Sequence, residues 1–269
     1  MKDLHPSASE YSVIAIQSAL AAGELLRQGF GTQFLIESKP GRQNLVTEYD
    51  KASEKKIISA ILERYPDHNI LAEESGQFQK STSPYTWIID PLDGTVNFAH
   101  NVPMFCISIA VACENEIISA VVYHPLLQEL FFAEKGMGAF LNGTPISVTK
   151  NDQLSGSLLA TGFPYNVDKN PHHCIESFTR LQAQGIPIRR IGSAALDMSY
   201  VAAGRFDGYW EVSLHPWDMA AGKLLVEEAG GKVSHYDGSP HKIFCNETIL
   251  ATNGVLHPLL IKHLNAKEV

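Results

Sequence analysis

The segment from Trp87 to Thr95 reads Trp-Ile-Ile-Asp-Pro-Leu-Asp-Gly-Thr. An apolar strand runs into a carboxylate, Asp90. Pro91 sets a turn, and a second carboxylate, Asp93, follows three positions later. Two acids so close repel each other unless something positive stands between them. A pair of Mg²⁺ ions meets that need, because Mg²⁺ prefers carboxylate and carbonyl oxygens and keeps water positions open for a phosphate. The Leu92 carbonyl can point into the same space, and Gly94 lets the backbone approach a phosphate closely. Thr95 can open a helix whose free amides favour an anion. Taken alone, the segment is more simply a polar turn with Thr95 as a cap; it gains chemical meaning only if other acids join it.

Three other places offer them. Glu73-Glu74 closes the apolar stretch Asn69-Ile70-Leu71-Ala72, and strand ends are where sites gather in layered α/β folds. Paired glutamates are otherwise an ordinary solvated surface. Asp50 stands at the start of a helical pattern, where an N-cap is the plain reading. Asp218, in His215-Pro216-Trp217-Asp218-Met219-Ala220-Ala221-Gly222, also opens a helix. Ala220, Ala221 and Gly222 let that helix pack closely beneath a site, which capping alone does not require.

The remainder of the chain must hold these acids. Its 269 residues, 45% hydrophobic and 19% charged, suit a globular protein with a substantial core, either one large domain or two packed halves, about 1–150 and 151–269. A formal charge of −8 argues against a surface built to coat nucleic acid, and the pair Arg189-Arg190 is too small to reverse it. An acidic protein that handles an anionic ester needs bound divalent cations. The four cysteines, Cys106, Cys113, Cys174 and Cys245, form no C-x-x-C pair and read as free thiols of a reducing compartment. No segment has the length and apolarity of a signal peptide or a membrane span, so the cytoplasm is expected.

Ser7 to Glu10 has capping-box spacing before a helix that runs to about Gln28. A second helix begins near Asp50, carries Ile57, Ile58, Ile61 and Leu62 on one face, and ends at Pro66. Strands are expected over 105–112, 117–123 and 129–133, with a hairpin at Asn142-Gly143 joining 139–141 to 146–148. From about residue 155 the pattern alternates: strands over 158–161, 186–191 and 208–210, helices over 193–203 and 217–229. With no G-x-G-x-x-G, the expected class is α/β with alternating helix and sheet layers. Among eleven histidines, His172-His173 reads as surface and His215 as structural although near Asp218; no H-E-x-x-H is present.

Two long motifs identify a family. Trp87 through His100 resembles the first signature of the inositol monophosphatases, and Trp217 through Gly231 resembles the second. Val46-Thr47-Glu48-Tyr49-Asp50 and Ala72-Glu73-Glu74-Ser75 are similar to the family's earlier motifs, so the likeness covers nearly the whole chain. It implies a Mg²⁺-dependent phosphatase of small polyol phosphates, with two to three ions and a homodimer. Glu73, Asp90 and the Leu92 carbonyl are implied ligands of one ion. Asp90, Asp93 and Asp218 are implied ligands of a second, with Glu73 touching a weaker third. Gly94 and Thr95 are implied phosphate contacts, and Gly192, Ser193, Ala194, Glu211 and Asp218 substrate contacts. Asp50 and Thr95, with Glu73, are implied to orient the attacking water. Val96 departs from the second threonine of many members.

Alternatives stay open. An aspartyl-phosphate enzyme separates its two aspartates by one residue, not by Pro91-Leu92, and no G-x-S-x-G is present. Members of the family also act on fructose bisphosphate, histidinol phosphate or 3′-phosphoadenosine phosphates, and some bacterial members act through transcription complexes.

Overall fold

A computed structural model describes residues 8–39, 45–79, 81–244 and 247–266. Ser7, with its capping box, and Cys245 lie outside the described residues. The chain enters as α1 (Glu10–Gly29), with Ser9 as N-cap, pairs the short β1 (Ile36–Ser38) with β2 (Leu45–Thr47), and runs directly into α2 (Glu48–Arg64). Then come β3 (Asn69–Ala72), β4 (Gly76–Gln79), β5 (Tyr85–Asp93) and the single-turn α3 (Thr95–Ala99). A meander follows, β6 (Cys106–Cys113), β7 (Glu116–His124), β8 (Glu129–Glu134), β9 (Gly138–Leu141) and β10 (Thr144–Ile146). The rest alternates: β11 (Leu159–Thr161), α4 (Cys174–Gln182), β12 (Ile188–Arg189), α5 (Ala194–Ala202), β13 (Gly208–Val212) and α6 (Pro216–Glu228). It closes with β14 (Lys232–Ser234), β15 (Thr248–Thr252) and α7 (His257–Leu264).

The larger sheet has the order β10-β9-β8-β7-β6-β5-β3-β4 and is antiparallel except where β3 runs parallel to β5. The smaller sheet has the order β12-β11-β13-β15-β14, with β11 parallel to both neighbours. Alternation along β5 and β6 decides what covers each face. Trp87, Ile89, Ile107, Ile109 and Val111 join α1 and α2 in one core, whereas Ile88, Ala110 and Ala112 join α5 and α6 in another. Tyr209 and Ile249 close that second core from the smaller sheet, while Trp210 and Leu250 turn to a third, under α4 and α7. The layers therefore alternate helix, sheet, helix, sheet, helix, which bears out the expected class.

Several local expectations shift, each for a visible reason. α2 is capped by Thr47, so Asp50 is its third residue and not its cap: the Thr47 amide donates to Asp50 Oδ2 at 2.8 Å. β5 does not stop at Asp90 but continues through Asp93 across a bulge, where Asp90 opposes Ser108 and Asp93 opposes Cys106. The strand expected over 186–191 shrinks to two residues, because the Ile191 carbonyl is taken by the Asn97 side chain at 2.7 Å. The hairpin partner moves from 146–148 to Thr144–Ile146, since the Val148 amide bonds the Ala229 carbonyl at the end of α6.

Helices α5 and α6 touch at Gly222, where an added Cβ would stand 2.7 Å from the Met198 Cβ. Gly222→Leu should therefore lower the unfolding free energy by about 1–3 kcal/mol through overpacking. Urea unfolding checks this; an unchanged midpoint would show that the two helices can part without cost.

Candidate active site

The acids named from the sequence converge from α2, the end of β3, β5 and α6, and a backbone amide holds one side of each aspartate. Asp90, 1% exposed, accepts the Leu92 amide on Oδ1 at 3.0 Å inside the β5 bulge. Asp93 accepts the Ser193 hydroxyl at 2.7 Å and the Ala195 amide at 2.8 Å, both on Oδ2, so it sits on the N-terminus of α5. Asp218 is the third residue of α6 and accepts the His215 amide on Oδ2 at 2.7 Å. Asp50 joins Thr47 to Thr95, whose hydroxyl donates to Asp50 Oδ1 at 2.8 Å and lies 3.0 Å from the Leu92 carbonyl. Glu73 follows β3 and keeps its amide on the Ile89 carbonyl, which ties it to β5. Helix N-termini favour negative charge, so caps of α2, α5 and α6 double as supports for acids.

Crowding these groups has an electrostatic cost. Burial raises the Asp90 carboxyl well above the usual range, and the charges of Glu73, Asp93 and Asp218 raise it further. Asp218 is raised for the same reasons, by burial, then by Asp93 and Glu73. Burial lifts Asp93 to about 6 against the lowering effect of Ser193 and the α5 amides, and lifts Asp50 to about 6 against its bonds to Thr47 and Thr95. Glu73, Asp90, Asp93 and Asp218 thus share one electrostatic neighbourhood. Lys39 answers part of it: its ammonium lies 3.0 Å from Glu73 Oε1 and 2.5 Å from Glu74 Oε1. Burial lowers the Lys39 pKa, but the two glutamates outweigh that and hold it above the usual lysine value.

The smaller residues of the two motifs meet around Asp93. Gly94 adopts φ 95°, and a Cβ there would approach the Met104 carbonyl to 2.8 Å. Gly192 adopts φ 80° beside Asn97, which donates to the Met104 and Ile191 carbonyls at 2.7 Å each. Ser193 and Ala194 follow as cap and first residue of α5. Glu211 is a buried strand residue of β13, not an exposed strand end: it is 8% exposed, and the Tyr209 hydroxyl donates to it. Burial lifts its carboxyl to about 7, with the Tyr209 bond and the Arg190 charge pulling down and Asp93 pushing up.

Four residues near the site carried no chemical signal in the sequence. Lys39 lies on a loop between short strands, where a lone lysine is unremarkable. A Cβ on Gly162 would meet Glu211 Oε2 at 2.1 Å, so only glycine fits there. Arg190 stands 5.2 Å over the Phe163 ring and within electrostatic reach of Glu211. Tyr165 is 55% exposed, yet burial of its phenol and the charges of Glu73, Asp218, Asp93 and Asp90 push it up to about 12; its ring reaches solvent while its hydroxyl senses the acids. Their shared signal is position alone, just past the ends of β1, β11 and β12. His172 and His173 are exposed, as expected, and His215 stacks on Trp217 at 4.8 Å.

Among the described residues no group of three or more His, Cys, Asp or Glu stands preassembled as a metal site. The donor chemistry nevertheless fits a hard cation: four carboxylates and a backbone carbonyl, all oxygen. The hydrogen bonds of Asp90, Asp93 and Asp218 given above fall on one oxygen of each, which leaves the other for an ion. Mg²⁺ would also relieve the repulsion that lifts these carboxyls.

Glu211 makes the electrostatic cost measurable. A carboxyl whose folded value is raised binds its proton more tightly when folded, so its contribution to stability grows as pH falls through about 7 and is complete below its ordinary 4.5. Glu211→Gln should raise stability at pH 8 by on the order of 2 kcal/mol. It should also flatten the slope of stability between pH 8 and pH 4.5, read by urea unfolding in chelator.

A sequence model described as "Inositol monophosphatase family" matches residues 7–268. The inositol-1-monophosphatase of Synechocystis sp. is 46% identical over 253 residues, covering 94% of this chain and 88% of that protein. Nus factor SuhB of Escherichia coli K12 is 44% identical over 241 residues, covering 89% and 90%. The crystal structure of extragenic suppressor protein suhB from Bartonella henselae superposes with a TM-score of 0.91 at 37% identity, covering 97% of this chain and all of that one. With its acids held on the same segments that the two motifs marked, the chain belongs to the inositol monophosphatase family.

Proposed function

We propose that this protein is a Mg²⁺-dependent phosphomonoesterase that hydrolyses an inositol monophosphate or a related polyol phosphate, using Glu73, Asp90, Asp93, Asp218 and the Leu92 carbonyl to hold two to three ions. The observation that carries the reading is the convergence of Asp90, Asp93 and Asp218, buried and raised by burial and by neighbouring acids, beside Glu73. When bound, Mg²⁺ would activate water and stabilise the negative charge that develops on the phosphoryl group. The chain's own residues do the positioning. Thr95 commits its proton to Asp50, so the lone pairs of its hydroxyl are free to accept a hydrogen bond from the attacking water. Glu73 is the third group of that set. Gly94 and the first amides of α3 offer donors to phosphate oxygens, with Thr95 among them. No side chain needs to become phosphorylated.

Substrate selection falls to Gly192, Ser193, Ala194, Glu211 and Asp218. Glu211, ionised above its pKa of about 7, accepts hydrogen bonds from polyol hydroxyls while Asp218 links that side of the pocket to the ions. The family resemblance further implies a cytoplasmic homodimer. Among the described residues no helix is long and apolar enough to cross a membrane. The name Nus factor SuhB of the E. coli relative favours a second reading, an additional protein-binding role in transcription complexes. Retention of every acid argues that catalysis accompanies any such role.

Activity on a phosphate ester should vanish with chelator and return with Mg²⁺. Asp218→Asn should keep the fold and lower kcat/KM roughly 100-fold or more, equivalent to about 2.7 kcal/mol of transition-state stabilisation. Full Mg²⁺-dependent turnover by that variant would remove Asp218 from the site.

Glu211→Ala separates recognition from chemistry. Loss of charge-assisted bonds costs about 1.5–3 kcal/mol, so kcat/KM for inositol 1-phosphate should fall about 10- to 150-fold. An aryl phosphate, which has no hydroxyls to offer, should lose far less. Equal losses on both substrates would assign the damage to the ions or the fold and end the polyol-binding role of Glu211.

A further inference from the structure

Helix α2 buries three polar side chains within one turn of each other: Asp50, Ser53 and Glu54, 0%, 0% and 5% exposed. Spacings of three and four place them on one face. Asp50 reaches Thr95. The other two reach the remaining acid-bearing segments, and neither belongs to the chemistry described above.

Ser53 donates to the Pro91 carbonyl at 2.8 Å, with both atoms buried. Pro91 sits in the β5 bulge between Asp90 and Asp93, where the ladder to β6 is interrupted and Pro91 and Leu92 oppose Ile107 alone. A carbonyl in such a bulge has lost its strand partner, and a buried carbonyl without one is costly. Glu54 accepts the Glu74 amide on Oε2 at 2.8 Å. That amide is the first beyond the Glu73–Ile89 backbone bond that ends the pairing of β3 with β5. Each contact therefore pins the peptide next to an acid, at the point where the sheet stops pinning it.

We propose that Ser53 and Glu54 are positioning residues for the metal site, and that one face of α2 sets the separation of the Glu73 segment from the Asp90–Asp93 bulge. The inference rests on the Mg²⁺ reading above. Glu54 is a carboxylate used as an acceptor for a backbone amide, not as a ligand; its neutral isostere should serve as well, because Gln keeps an acceptor oxygen at the same reach. Without that acceptor the Glu74 amide loses its partner and the Glu73 carboxylate loses its fixed origin. Groups that orient metal ligands from behind typically change metal affinity about 10- to 100-fold when removed.

The test measures Mg²⁺ binding to the full-length protein by titration calorimetry, together with the Mg²⁺-dependent rise in Tm and the Mg²⁺ concentration for half-maximal hydrolysis of an aryl phosphate. Glu54→Leu should weaken Mg²⁺ binding about tenfold and Ser53→Ala about threefold. In both, kcat at saturating Mg²⁺ should stay close to that of the unaltered protein. Glu54→Gln should bind Mg²⁺ as the unaltered protein does. A purely structural role predicts the opposite pattern, Tm lowered equally with and without Mg²⁺ and affinity unmoved, and that result overturns the proposal. So does a loss in Glu54→Gln as large as in Glu54→Leu. If Glu54→Leu fails to fold, Ser53→Ala decides, since it removes one oxygen only; unchanged Mg²⁺ affinity there overturns the proposal. Failure of the unaltered protein to bind Mg²⁺ would instead sink the phosphatase reading and this inference together, a result distinct from tight binding in every variant.

Discussion

Repulsion among buried carboxylates is the constraint on which the rest of this structure depends. Asp90, Asp93 and Asp218 carry charge that the interior does not welcome, and burial together with the neighbouring acids, Glu73 among them, raises all three. A fold that tolerates them must supply compensating dipoles at the same place. It does so with backbone amides: Leu92 for Asp90, Ala195 for Asp93 and His215 for Asp218. Those amides stabilise the ionised forms without neutralising them. Full neutralisation is left to a cation, and Lys39 meets only the Glu73–Glu74 side.

The amides come from helix starts and from one irregular strand, and this explains why capping and chemistry coincide. Asp50 completes the capping box of α2 through Thr47, and by the same carboxylate takes the Thr95 hydroxyl. Asp218 holds the first turn of α6 and is charged toward the other acids. The plain reading of these residues as N-caps is displaced by one turn, since each is the third residue of a capping box, and it is incomplete because the box occupies one carboxylate oxygen and leaves the second. The bulge in β5 serves the same end. Inserting a residue between Asp90 and Asp93 bends the strand and releases Pro91, whose carbonyl α2 then claims.

The proposed polyol contact, Glu211, stands in a different environment. Glu211 lies in β13 with its carboxylate against Gly162, the Tyr209 hydroxyl and the charge of Arg190. A buried carboxylate that already accepts a hydroxyl suits hydroxyl groups, whereas the all-oxygen cluster around Asp90 suits a hard cation. In the proposed function, two carboxylate environments with different partners divide phosphate handling from polyol handling.

Much of this was legible in the residues themselves. The apolar run into Asp90-Pro91-Leu92-Asp93-Gly94-Thr95, the helix start at Asp218 and the capping signal around Asp50 are local patterns, and local hydrogen bonding decides them. The layer class followed from periodicity, since Trp87, Ile88 and Ile89 alternate between two cores as a strand buried on both faces must. What the sequence could not decide is anything set by contacts across long stretches of chain. Lys39 meets Glu73 across 34 positions, Ser53 meets Pro91 across 38 and Ser193 meets Asp93 across 100. Short elements such as β1, β12 and β14 carry too few residues to show a period, and pairing with neighbours alone defines them. Glu211 follows the expected strand over 208–210, and nothing in the sequence shows it buried; the packing of β13 against Gly162 buries it, because burial is a property of what other segments place over a residue.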